Sequence, residues 1–424
     1  MGRPVVIDLF AGAGGLSLGF EQAGFEVTAA VEIDPIHAAV HKFNFPSCAV
    51  LARSVIGLPA REIRDVAGIG NGKVDIVVGG APCQGFSLIG QRALDDPRNS
   101  LVREFVRIVG DLDASYFVFE NVKGLTVGKH RRFLEEVIAE FERCGYELRS
   151  PWRVLNACRY GVPQDRARLF LLGAKRGLPL PDYPVEAGHR PNCGDALNDL
   201  PDIEDFVELN SRDWVECRNW GVPSAYAREM RCLGNESWHF GVPRIWNPFL
   251  LTSSARTDHT AISRRRFANT AGGQNEPISR FFKLAKDGVS NTLRAGTDAA
   301  RGAFTSPRPI HYESARCISV REMARLHGYP DWFRFHATKW HGARQVGNSV
   351  PPLLARAVAG EIARAMNYLP VPHSEAIELG DTKLLTFDMQ QASAFWGVVS
   401  PIGRRDRKSG ARKRRQHEIE LEAA

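Results

Sequence analysis

Apolar positions along residues 1–175 follow two alternating rhythms. Short unbroken runs, VVIDLF (5–10), VTAAVE (27–32), VDIVVGG (74–80) and YFVFEN (116–121), have the character of strands buried on both faces. Between them apolar residues recur at helical spacing: Leu101, Phe105, Ile108 and Leu112, then Phe133, Leu134, Val137, Ile138 and Phe141. Strands alternating with helices predict an α/β fold, a parallel sheet with helices on both faces. Such sheets bind ligands at the carboxyl ends of their strands. Gly12, Glu32, Cys83 and Glu120 each fall just past a predicted strand end, which points to one shared site.

From 176 to 315 the rhythm degrades. Pro, Gly, Asn and Arg punctuate short apolar stretches, predicting a separate irregular unit of loops and short strands. Regularity returns in SVREMARLHGYP (319–330), a helix closed by Gly328 and Pro330. VPPLLARAVAGEIARAM (350–366) predicts another, with Pro351 and Pro352 tolerable in its first turn. The last stretch of the chain is weakly patterned, its basic end is expected to be disordered, and no internal repeat is visible.

The 424 residues allow two or three domains, and 44% hydrophobic with 24% charged residues describes a globular chain with a substantial core. No run approaches the ~20 apolar residues of a membrane helix. MGRPVVIDLF enters a strand pattern at once, so no signal peptide is expected. The eight cysteines form no CxxC pair, which argues against zinc and a disulfide framework and for a reduced, cytoplasmic protein. The net charge is +7, but residues 403–415, GRRDRKSGARKRR, carry eight Lys or Arg against one acid. Residues 176–250 hold seven basic and twelve acidic residues, whereas 251–310 hold ten and four. That second stretch, with Arg264, Arg265 and Arg266 near Phe267, Phe281 and Phe282, suits a surface that tracks phosphates; it equally describes a solvated face.

DLFAGAGGLSLGF follows the first strand and opens a helix. Gly12, Gly14 and Gly15 allow a tight turn and a close backbone approach to a ligand. A dinucleotide fingerprint beginning at Gly12 requires glycine where Ser17 stands, and GxxxxGK[ST] is absent. Glu32, ending the second strand, can accept hydrogen bonds from ribose hydroxyls. A glycine loop with such an acid indicates a nucleoside-type cofactor and leaves NAD and S-adenosylmethionine both open.

GGAPCQGFS (79–87) halts a buried strand and presents Cys83. A phosphatase loop needs arginine six positions later, where Ile89 stands. Glu120 and Asn121 end a further strand, and QDRARLF (164–170) places Arg166 and Arg168 two apart, on one side of an extended segment. A thiol, a carboxyl group and two cations form a set for attacking an electron-poor ring and stabilising the charge that appears on it.

The chain resembles the bacterial-type cytosine-C5 DNA methyltransferases. The likeness is carried, in family order, by DLFAGAGG, VEID, APCQGFS, FENVKG, QDRARLF, REMARLHGYP and QVGNSVPP, covering residues 5–175 and 316–365. The stretch of about 176–315 takes the place of the family's variable target-recognition domain. The resemblance implies a Rossmann-like S-adenosylmethionine-dependent fold with three parts. These are a discontinuous catalytic and cofactor-binding domain (1–175 plus 336–370), a target-recognition domain (176–335) and a weakly structured extension (371–424) with the basic tail. It implies that Cys83 attacks C6 of a cytosine flipped out of duplex DNA. Glu120 holds N3 and the exocyclic amine, and Arg168 with Arg166 steadies the O2 side and nearby backbone. Phe10, Ala11, Gly12, Gly14, Glu32, Ile33, Pro82, Leu101 and Asn348 match cofactor-pocket positions; Gln84, Ser87 and Asn121 match substrate-binding ones. No metal is implied. A monomer acting on double-stranded DNA in the bacterial nucleoid, with a cognate restriction endonuclease as a partner, completes the expectation.

Two features depart from the family pattern. An acid usually follows the third strand, where LARSVIGL offers Ser54, and the basic tail lies outside the family motifs. Three other readings compete. A tRNA cytosine methyltransferase shares the fold and chemistry but typically carries a Cys-Phe-Thr element, absent here. A catalytically idle DNA-binding relative requires a lost nucleophile or acid, and both are present. A nicotinamide oxidoreductase is disfavoured by Ser17 and leaves Cys83 without a task.

Overall fold

The computed structural model describes residues 2–82, 99–128, 130–297 and 305–400. Cys83, Gln84 and Ser87 lie outside the described residues, as does the basic tail. Eight strands form one sheet: β1 (Val5–Leu9), β2 (Glu26–Val31), β3 (Ala49–Leu51), β4 (Ile76–Gly79), β5 (Tyr116–Val122), β6 (Tyr146–Leu148), β7 (Arg153–Asn156) and β8 (Ala167–Lys175). Their order is β3-β2-β1-β4-β5-β8-β6, with β7 also on β8. β3 through β5 are parallel neighbours; β8 is antiparallel to β5, and β6 and β7 are antiparallel to β8.

Alternation along the strands sorts side chains into two apolar layers. Val6, Val78, Val118 and Phe170 enter one layer; Ile7, Val77, Phe117 and Leu169 enter the other. The first layer is covered by α1 (Gly15–Gln22), α2 (Pro35–Asn44) and a late helix described below. The second is covered by α3 (Ala60–Val66), α4 (Ser100–Asp111) and α5 (His130–Arg143). The sheet is covered on both faces as the rhythm predicts and is Rossmann-like as the resemblance implies, but β6, β7 and β8 run antiparallel where the rhythm predicts parallel strands throughout. Strand order reverses around β1, so the loops after β1 and β4 open side by side at the carboxyl edge.

Beyond residue 175 the elements are short: α6 (Cys193–Leu197), β9 (Val215–Glu216), α7 (Ala225–Met230), β10 (Arg244–Ile245), β11 (Leu250–Leu251) and α8 (Ala261–Asn269). Small apolar clusters here are supplemented by buried ion networks. Arg325 is fully buried and donates to both carboxylate oxygens of Asp331 and both of Asp199, at 2.7–3.2 Å. Paired and hydrogen-bonded this completely, the charges fix geometry where apolar surface is scarce.

The chain returns to the first layer through α9 (Val320–His327), α10 (Lys339–Asn348) and α11 (Pro352–Ala365). α9 is closed by Gly328 in the left-handed conformation (φ 86°), as its sequence predicts. Weak structure is expected from 371 onward, yet β12 (Ile377–Glu378) pairs with β10 and α12 (Met389–Trp396) packs on α2. Asp388 and Gln391 form a reciprocal capping box on α12, Gly397 ends it, and the Trp396 indole donates to the Pro35 carbonyl at 3.1 Å. No helix among the described residues is long and apolar enough to cross a membrane.

Candidate active site

The loop after β1 is held in a sparsely populated conformation. Phe10 (φ 61°), Gly12 (φ 55°) and Gly14 (φ 105°) all lie in the left-handed region, strained for Phe10 and free for the glycines. Each glycine answers a different need. A Cβ on Gly14 would fall 2.4 Å from the Phe45 ring, and one on Gly15 would fall 2.3 Å from the Val350 carbonyl. Around Gly12 no atom lies within 4 Å of that position, so the loop is open there.

Glu32 ties this loop to β2. One carboxylate oxygen accepts from the Gly12 amide at 2.8 Å, the other from the Asp34 amide at 2.8 Å. Burial raises its pKa, opposed by the nearby His37. Beneath the loop, Ser17 donates to Asp8 at 2.6 Å and lies 3.0 Å from His41 Nε2, with all three side chains fully buried. Burial pushes Asp8 up to about 7. Ser17, which breaks the dinucleotide pattern in the sequence, therefore belongs to a polar chain joining β1, α1 and α2. Ile33 is exposed, and Ala11 is buried with its amide donating to Val31.

The second half of the site lies at the ends of β4 and β5. The Glu120 carboxylate is 3.0 Å from Arg168 Nε. Burial raises its pKa, while Arg168 and then Arg166 pull the other way. A Cβ on Gly80 would meet Glu120 Oε2 at 2.6 Å, and one on Gly79 would meet the Leu9 carbonyl at 2.5 Å. The glycine pair thus lets β4 pack against β1 and leaves room for the carboxyl group. Asn121 donates to the Ala81 carbonyl at 2.9 Å, fixing the backbone two residues before Cys83. Pro82 is exposed beside it, and Leu101, partly buried, lies in the first turn of α4.

Arg166 and Arg168 part company. Arg166 is 1% exposed; its guanidinium donates to the carbonyls of Leu293 (3.0 Å), Gly347 (2.9 Å) and Ser349 (2.8 Å). The sequence reading groups it with Arg168 facing substrate, but burial and three carbonyl partners make it a brace. Burial lowers its pKa to about 9, leaving it cationic at neutral pH. Gln164 and His327 complete the brace. The Gln164 amide donates to His327 Nδ1 (2.8 Å) and accepts from the Leu293 amide (3.1 Å), and His327 Nε2 reaches the Ser349 carbonyl at 3.1 Å. Burial keeps His327 neutral, so Nε2 carries the proton and donates. Ser349 Cβ in turn lies 3.0 Å from the Cβ position of Gly15, bringing the GNSV turn against the glycine loop. Asn348 is exposed on that turn.

Sequence reasoning quotes Gln164 and His327 inside motifs without giving either a task; a polar residue in a run that otherwise enters the core is the signal available. Ser54 accepts from the Ile56 amide at 3.1 Å, closing its own turn. Among the described residues no cluster of His, Cys, Asp or Glu is placed to hold a metal.

Comparison with known proteins finds relatives along most of the chain. The signature of the C-5 cytosine-specific DNA methylases matches residues 5–364. The type II methyltransferase M.XorII of Xanthomonas oryzae is 60% identical over 419 residues, 99% of this chain and 98% of that protein. M1.HphI of Haemophilus parahaemolyticus is 33% identical over 84% of this chain and 86% of its own. A crystal structure described as a DNA modification methyltransferase encoded within an E. coli prophage superposes with TM-score 0.72 at 32% identity, covering 86% of this chain and 99% of that one. The chain belongs to the C-5 cytosine-specific DNA methylase family.

Proposed function

We propose that the protein transfers a methyl group from S-adenosylmethionine to C5 of a cytosine extruded from a specific duplex DNA sequence, through a covalent bond between Cys83 and C6. The observation that carries this reading is the buried Glu120 carboxyl group, set between Arg168 and Gly80, which stands at the end of β4, three residues before Cys83 in the chain. The residues fit the cofactor. Gly12 has open space above it, and both Glu32 oxygens, each engaged by one backbone amide, keep lone pairs for ribose hydroxyls. Phe10, Ala11, Gly14, Ile33, Pro82, Leu101 and Asn348 are the remaining candidates for that pocket.

S-adenosylmethionine supplies, when bound, a methyl group on a positively charged sulfur. The chain's own residues prepare the acceptor. Cys83 as thiolate adds to C6 while Glu120, in its protonated form, gives a proton to N3, so electrons gather at C5. Burial favours that protonated form, and Arg168 stabilises the carboxylate left behind. After methylation C5 loses its proton to a base, the cysteine leaves as thiolate, and N3 returns its proton to Glu120, restoring the neutral aromatic ring and the acid. Extrusion is required because neither face of the ring is accessible within the stack. Residues 176–335 are the proposed target-recognition domain, and a cognate endonuclease is the proposed partner in a restriction–modification pair.

Bisulfite sequencing of host DNA after expression tests the reading. Protected cytosines in one recurring sequence are expected. Unprotected DNA with methylated tRNA cytosine would instead select the tRNA reading.

A further inference from the structure

Ten Lys and Arg residues fall within 251–310, and nine of them are among the described residues. Six have internal partners. Arg256 and Arg264 face Glu204, Arg266 faces Glu276, and Lys286 faces Glu313. Lys283 donates to the Phe267 carbonyl, and Arg308 to the Ile318 carbonyl and Thr257. Arg265, Arg280 and Arg294 are left exposed. Arg265 lies on α8, and Arg280 sits in a left-handed turn (φ 59°) after the buried Glu276.

Arg294 differs in how its backbone is held. Leu293 before it is gripped from both sides, its amide by Gln164 and its carbonyl by Arg166. On the other side the Gly347 Cβ position lies 2.4 Å from the Ala295 nitrogen and 2.5 Å from the Arg294 carbonyl carbon, so only glycine permits the approach. The same Arg166 grips Gly347 and Ser349 and stands two residues from Arg168, the partner of Glu120. Arg294 is therefore an exposed cation on a backbone held between the segment leading into β8 and the end of α10 that carries Asn348.

We infer that Arg294 binds a backbone phosphate of the DNA strand beside the extruded cytosine. The inference rests on the DNA cytosine reading above. Extrusion swings a nucleotide about its own backbone, so the adjoining phosphates must be held relative to the catalytic groups. At that point the base has left the stack and the backbone is what passes the protein. A cation whose neighbouring main chain is held by Gln164 and Arg166, on the segment leading into β8, suits this task better than one on a free loop, and phosphate contacts set register without reading sequence.

The test compares Arg294→Gln, Arg294→Lys and Arg265→Gln with the wild type, measuring duplex binding across salt, steady-state methylation and the methylated sequence. Arg294→Gln is expected to lose roughly tenfold in DNA affinity and to reduce the log–log salt slope by about one charge. S-adenosylmethionine affinity and the methylated sequence should not change. Arg294→Lys should restore the slope, because a phosphate accepts a point charge whereas a guanine edge favours the planar fork. A wild-type slope and affinity in Arg294→Gln, or as large a loss in Arg265→Gln, would overturn the assignment. So would a changed methylated sequence in either Arg294 variant, which would make it a base reader. A wild-type protein that neither binds nor methylates any duplex would remove the DNA reading beneath it.

Discussion

Burial acts on Glu120 against the Arg168 guanidinium 3.0 Å away, and the net direction is towards a higher pKa. The acid form is thereby retained at a pH where an exposed glutamate has ionised, which is the form a proton donor to N3 needs. Glu120→Gln is expected to keep cofactor binding and the fold while losing activity by roughly 100- to 10,000-fold. Tritium transfer from labelled cofactor to DNA measures this, and unchanged turnover would remove Glu120 from the chemistry. This residue was legible in the sequence through the family likeness of FENVKG, although it lies within β5 and not past a strand end as the rhythm suggests. The reason Gly80 precedes it was not. Nothing local to GGAPC indicates that a neighbouring strand's carboxyl group will occupy the space of a Cβ, 2.6 Å away. Gln164 and His327 were hidden for the same reason, since their partners stand more than a hundred residues apart in the chain.

At the scale of elements, α1 is buried along its length between the sheet and α11. Contact is closest at Gly19, whose Cβ position lies 2.4 Å from Ala355 Cβ and 2.6 Å from the Arg356 nitrogen and the Pro352 carbonyl. In an exposed helix Gly→Ala stabilises by about 1 kcal/mol. Here overpacking, about 1–3 kcal/mol, opposes that gain and has backbone rather than flexible side chain to push against. Gly19→Ala is therefore expected to lower Tm and to weaken cofactor binding, since α11 follows directly on the GNSV turn that backs Gly15. A raised Tm would show that the two helices separate freely. Strands β1, β2, β4 and β5 and the helices α4, α5, α9 and α11 were visible as rhythm, whereas the nine-residue β8 was read only as an extended segment around Arg166 and Arg168. The three-residue strands β3 and β6 are too short to show a period, and they exist because longer neighbours offer paired edges. α12 did carry a local signal, Asp388 with Gln391 and then Gly397, in a stretch otherwise too polar to draw notice.

Across the whole molecule the charge is unevenly placed. Residues 1–402 hold 47 basic and 44 acidic side chains, and eight cations crowd into 403–415. α12 fixes the chain to Pro35, beside the start of α2 at the carboxyl edge of the sheet, shortly before that run begins. Removing residues 403–424 is expected to weaken non-specific duplex binding and flatten its salt dependence while leaving the methylated sequence unchanged, because cations without base-reading geometry contact phosphates. An altered methylated sequence would contradict this. Covalent trapping links one sulfur to the extruded base in a single measurement. Duplex DNA bearing 5-fluorocytosine at the target, supplied with S-adenosylmethionine, should arrest the enzyme, because fluorine cannot leave C5 as a cation and the cysteine cannot then depart. The expected adduct survives denaturing electrophoresis, maps to the peptide containing Cys83 and is absent in Cys83→Ser, whose hydroxyl is scarcely ionised near neutral pH. An adduct that persists in Cys83→Ser, or one that maps to any of the other seven cysteines, would contradict it.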